Sequence, residues 1–217
     1  MHRGTARDIS FLIDFIPAYL FPNGEKAIEK FAVTGISLGG ELQEISPVTP
    51  LLKFHLSKGH ATWIVLRDDP RVTLGIPIIG CPDYISLLTP RIAHNPPSNG
   101  QRELVGPAFP STLRQLIEKE DPCAVDYRSR DPAVNPYIGK QILILGGKDD
   151  DLVPPKFGEK MYADMYVGTD GAKDMVIQDG VGHRLSSQMI EKVGEWLWRY
   201  GLRDGAAETA ATQSSQL

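Results

Sequence analysis

The chain is expected to adopt an α/β fold, a parallel sheet with helices on both faces, and three observations predict it. Apolar, β-branched runs at 31–36, 72–79, 141–146 and 175–178 alternate with stretches of helical period, the pattern of strands joined by crossover helices. The first run feeds into Gly35-Ile36-Ser37-Leu38-Gly39-Gly40, a glycine-flanked serine at a strand-to-helix corner. The last two runs lead into Asp149-Asp150-Asp151 and Gly182-His183. Residues that carry chemistry thus follow strand ends, where open parallel sheets place their sites.

The elements follow in order. Thr5-Ala6-Arg7-Asp8 has the spacing of a helix capping box, and Ile9, Leu12, Ile13 and Ile16 share one helical face behind it. Pro17 is expected to bend or end that helix, and Pro22-Asn23-Gly24 to turn the chain into the strand before Ser37. Residues 41–59 sustain neither a helical nor a strand period. From Gly59-His60 to Leu66 the pattern is helical again, stopped by Asp69-Pro70. Residues 72–79 read as a buried strand, with Pro77 tolerable near its end or on an edge.

Residues 89–110, rich in Pro, Asn and Gly, read as a loop, and 89–137 as a whole as a lid-like segment with a short helix over 111–119. A strand over 141–146, a helix over 155–165 and a last strand over 175–178 come next. The closing helix places Met189, Ile190, Val193, Leu197 and Tyr200 at helical spacing, with Trp196 and Trp198 expected to pack along it. Beyond Arg203 the tail to Leu217 is polar and expected to be disordered.

A chain of 217 residues supports one sizeable core, so residues 1–202 are read as one domain. Its net charge of −4, with no basic patch, argues against general nucleic-acid or anionic-membrane binding. Two cysteines, Cys81 and Cys123, lack metal spacing and point to a reducing compartment; the cytoplasm is the expected location. No apolar run reaches membrane-spanning length.

A serine hydroxyl is a poor nucleophile at neutral pH; it needs a general base, and that base needs a carboxylate to fix its tautomer. The chain offers serine, aspartate and histidine in that order, each after an expected strand. Gly35-Ile36-Ser37-Leu38-Gly39-Gly40, His60-Ala61-Thr62-Trp63, the run from Asp69 to Tyr84, Gly147-Lys148-Asp149-Asp150-Asp151-Leu152-Val153-Pro154 and Gly180-Val181-Gly182-His183 resemble the α/β-hydrolase superfamily. Its prolyl-oligopeptidase-like and dienelactone-hydrolase-like esterases are the most similar. The resemblance implies Ser37 as nucleophile, His183 as base, Asp150 as its orienting acid with Asp149 as the fallback, and the Leu38 N–H as an oxyanion donor. It implies no metal and no organic cofactor. His60 reads as a helix-start packing residue, and Asp83 and Asp121 as weaker candidates for the acid.

Two departures from the family pattern stand out. The family places strands and a second oxyanion loop before the serine, and residues 1–36 contain nothing similar. The sheet is therefore expected to lack its N-terminal strands and to expose an edge open to another chain. In relatives the glycine pair runs directly into His-Ala-Thr-Trp, so residues 41–59 are expected to be an insert, of translated intron origin, with Met1 an internal start. The function implied is hydrolysis of an ester, or a peptide or thioester, through an acyl-enzyme on a small-molecule or peptide-like substrate. The rival expectation is an impaired fragment serving as a binding or assembly module.

Overall fold

The computed structural model describes residues 2–37, 56–57, 59–94 and 110–203. Five strands form one sheet in the order β2-β1-β3-β4-β5, every neighbouring pair parallel. They are β1 (Phe31–Ile36), β2 (Leu56–Ser57), β3 (Val72–Ile78), β4 (Gln141–Gly147) and β5 (Ala172–Gln178). The helices are α1 (His2–Leu20), α2 (Gly59–Asp68), α3 (Tyr84–His94), α4 (Ser111–Glu120), α5 (Lys156–Asp164) and α6 (Ser187–Leu197), with a π-helical turn over Trp198–Leu202.

Because successive strand residues face opposite sides, β4 divides its side chains between two cores. Ile142 and Ile144 join one cluster with Ile9 and Ile13 of α1, Trp63 and Val65 of α2 and Met161 of α5. Leu143 and Leu145 join the other with Leu87 of α3 and Met189, Trp196 and Leu197 of α6. The expected two-faced sheet is what forms. Helix α2 is buried from Gly59 to Leu66, which suits an apolar segment packed against both β1 and β3 and also α1.

Several elements differ from the sequence reading, each for a local reason. Helix α1 begins at His2, so Thr5 lies within it rather than capping it, and Pro17 neither ends nor breaks it. Pro17 removes one amide donor, but Phe21 N–H still reaches Pro17 O at 2.9 Å, which closes the last turn. Residues 89–94, read as loop, belong to α3. Two carboxylates start that helix: Asp83 Oδ1 accepts from Ser86 N–H at 2.8 Å, and Asp121 Oδ2 accepts from Tyr84 N–H at 2.8 Å and Ile85 N–H at 3.3 Å. The rest of the expected loop, residues 95–109, lies outside the described residues, as does the tail beyond Arg203. Trp196 is buried as expected, whereas Trp198 is 56% exposed and Ile190 50% exposed.

The edge of β1 is not bare. Leu56 and Ser57 pair with Thr34 and Gly35 in parallel register. Of the expected insert 41–59, residues 41–55 and 58 lie outside the described residues, and Gly59 opens α2. Pro77 sits next to the end of an interior strand, opposite Gly35.

Candidate active site

Strands β1, β4 and β5 deliver Ser37, Asp150 and His183 from their carboxyl ends. Ser37 follows β1 directly and adopts φ 57, in the left-handed region that a non-glycine residue enters at a cost. Its N–H donates to Ile78 O at 2.8 Å, and its carbonyl accepts from Gly59 N–H at 2.5 Å. These two bonds fix the turn, and the side chain meets His183: Ser37 Oγ lies 2.7 Å from His183 Nε2.

On the other side of the ring, His183 Nδ1 lies 2.9 Å from Asp150 Oδ2 and 3.1 Å from Oδ1. The tautomer that satisfies both contacts carries its proton on Nδ1, donates it to Asp150, and leaves Nε2 to accept from the serine hydroxyl. Asp150 is 2% exposed, and its Oδ1 also accepts from Leu152 N–H and Val153 N–H, each at 2.8 Å. The turn 150–153 therefore aims the carboxylate before the histidine meets it. Of the three consecutive aspartates it is Asp150, not Asp149, that reaches the ring.

The loops carrying acid and base are tied to each other. Lys148 N–H donates to Gln178 O at 2.9 Å and Asp149 N–H to Val181 O at 3.0 Å. Gly147 permits that approach, since a Cβ there would lie 2.1 Å from Val181 O. Ser186 caps α6 by accepting from Met189 N–H at 3.2 Å and donates to Gln178 Oε1 at 2.5 Å, which anchors the far side of the histidine loop. The His183 side chain stays 26% exposed, whereas the side chain of its partner Asp150 is fully buried.

Leu38, the expected oxyanion donor, lies outside the described residues. A cleft lined by Lys148, Asp150, Pro154, Lys156, Glu159 and Asp179 borders the acid loop, but neither Ser37 nor His183 lines it.

The other sequence candidates have structural roles. His60 is buried at the start of α2, with Nδ1 2.5 Å from Cys81 O and its ring against Tyr84. Asp83 and Asp121 cap α3, and both stand apart from the His183 contacts. With Cys123 their ligand atoms lie within 4.8 Å of one another, but the carboxylates are committed to the helix start. Burial, with the charge of Asp83 beside it, pushes the Asp121 carboxyl up to about 7, and burial likewise pushes the Cys123 thiol up to about 12.

The sequence reading missed the crossing of Gly59 over Gly80 beneath Ser37. Its only trace in the sequence was a glycine at the start of one expected helix and another closing the next strand.

No protein-family model and no curated protein matches the chain. Among solved structures it is similar to an α/β hydrolase enzyme from the metagenome of lagoon sediments at Mar Chica, Morocco, at 16% identity and TM-score 0.46 over 89% of this chain and 68% of that one. It is similar also to acetyl xylan esterase 1 from Thermoanaerobacterium sp., at 16% identity and TM-score 0.46, covering 84% of this chain and 49% of that one. An acylaminoacyl peptidase from Pyrococcus horikoshii aligns at 16% identity and TM-score 0.47, over 84% of this chain and 24% of that one. The chain thus spans less than two thirds of the length of the last two. In its all-parallel sheet, its serine in the left-handed region directly after a strand, and its chain order of serine, aspartate and histidine, the fold is of the α/β-hydrolase type.

Proposed function

We propose that the chain is a serine hydrolase that cleaves an ester bond, with peptide and thioester bonds as the related chemistries, on a small-molecule or peptide-like substrate. Ser37 Oγ attacks the carbonyl carbon while His183 Nε2 takes its proton. Asp150 holds Nδ1–H and stabilises the imidazolium. The N–H of Leu38, in the position the family resemblance gives it, supports the negative charge on the carbonyl oxygen. His183 then returns the proton to the leaving group, and water attacks the acyl-Ser37 ester by the same route in reverse. Each step is proton transfer and acyl transfer, so the route calls for no metal or organic cofactor.

The observation that carries this reading is the continuous contact from Ser37 Oγ through both nitrogens of His183 to the buried carboxylate of Asp150, at 2.7 and 2.9 Å. Mixing the protein with p-nitrophenyl acetate tests it. The expected result is a burst of nitrophenolate stoichiometric with protein and an acetyl group on Ser37 by mass spectrometry. An equal burst from Ser37→Ala would refute the assignment. A folded wild-type protein without a burst would favour the rival reading, a binding or assembly module on a hydrolase scaffold.

A further inference from the structure

Ser37 and Gly59 are distant in sequence yet touch: Gly59 N–H donates to Ser37 O at 2.5 Å. An amide bonded to the carbonyl three residues earlier is the usual way a tight turn opens a helix. Here the amide comes from a residue far along the sequence, the first of α2. Beneath that bond the backbone of Gly59 crosses that of Gly80 with no room for a side chain. A Cβ on Gly59 would lie 2.7 Å from Ile78 O and 2.9 Å from Gly80 Cα, and a Cβ on Gly80 would lie 2.6 Å from the carbonyl carbon of Gly59. These neighbours are backbone atoms that cannot swing aside. Ile78 O is also the acceptor that holds Ser37 N–H. The serine is therefore clamped by Gly59 on one side and Ile78 on the other, and the two clamps rest against each other.

We propose that Gly59 is a positioning residue for Ser37, standing where the third residue after the serine stands in an uninterrupted strand-turn-helix, so that the turn does not require residues 40–58. Residue 40 is also glycine, so joining Gly39 to Gly59 gives Gly-Ile-Ser-Leu-Gly-Gly-His, with the serine-to-helix spacing that the bond implies. The catalytic half of this proposal rests on Ser37 being the nucleophile; the structural half does not.

The test compares wild type, Gly59→Ala and a chain lacking residues 40–58. Three quantities are read: the rate of Ser37 modification by a fluorophosphonate per folded molecule from pH 5 to 9, the thermal melt, and hydrogen exchange at the amides of Ser37 and Gly59. In Gly59→Ala the methyl pushes on Ile78 O, so modification slows at least tenfold per folded molecule and loses its pH inflection, because Ser37 Oγ no longer meets His183. A merely structural role would lower the melting temperature and leave that rate and inflection unchanged. The shortened chain is expected to melt cooperatively, to keep the inflection, and to react within threefold of wild type.

A Gly59→Ala protein with wild-type rate per folded molecule, or a shortened chain that does not fold, would overturn the proposal. Should wild type itself fail to react, the hydrolase reading falls, and hydrogen exchange decides the structural half alone. Slow exchange at Gly59 in wild type and in the shortened chain, lost with Gly59→Ala or when that variant does not fold, supports it; fast exchange in wild type refutes it.

Discussion

Ser37 is held in the left-handed region by its neighbours rather than by its own preference. That explains why the sequence signal for it lies in the flanking glycines and not in the serine. The choice of Asp150 among the three aspartates was legible only through the family resemblance, whose Gly-x-x-Asp-x-x-Val-Pro spacing matches Gly147, Asp150, Val153 and Pro154. The structure adds the local bonds: the Asp150 carboxylate accepts from the amides of Leu152 and Val153. Asp150→Asn keeps those bonds and the shape but offers an amide to Nδ1, which favours the wrong tautomer. Its acylation rate is expected to fall by roughly 10⁴, with a melting temperature close to wild type. Stopped-flow acylation checks it; a fall of under tenfold would contradict the role given to Asp150. What was not legible at this scale was exposure: Trp196 and Trp198 share a helix end, yet only the first faces the sheet.

At the scale of elements, strands were easier to read than helix ends. The run 72–78 is apolar on both faces because helices cover both, whereas α3 starts at a cap only half of which is local. Asp83 is adjacent in sequence, but Asp121 arrives from the far end of α4, and no period in residues 84–94 announces it. Losing the local half is expected to cost about 1 kcal/mol, the usual value of an N-cap. Chemical denaturation of Asp83→Ala should show that loss, and unchanged stability would mean that Asp121 alone suffices. The two-residue strand β2 was illegible for a plainer reason: residues 41–59 have no period, and two residues cannot establish one.

At the scale of the whole molecule, the fold class was the most legible feature, because alternating apolar runs and amphipathic stretches leave few other arrangements. Titration of two buried groups was not legible, since it depends on what packs over them. Asp121, raised to about 7, is neutral in the folded chain where the unfolded chain is ionised. Stability therefore falls as pH rises from about 4 to 7. Lys140 is buried, donates to Asp69 O at 3.1 Å and Val72 O at 2.7 Å, and is lowered to about 8 by desolvation. Its folded form sheds a proton that the unfolded form keeps, so stability recovers above about pH 8. Together the two groups predict a trough in folding stability between pH 7 and 8, with limbs on the order of 3 kcal/mol. Asp121→Asn should flatten the acid limb and Lys140→Met the alkaline one. Calorimetry across pH 4 to 10 reads both, and a wild-type maximum at pH 7 to 8 would count against the burial of these groups.

The measurement that bears most directly on the account is peptide mapping of the protein after reaction with a fluorophosphonate. The account predicts a single adduct on Ser37, absent in Ser37→Ala and reduced by orders of magnitude in His183→Ala. An adduct on another residue, or none on a cooperatively folded protein, would contradict it.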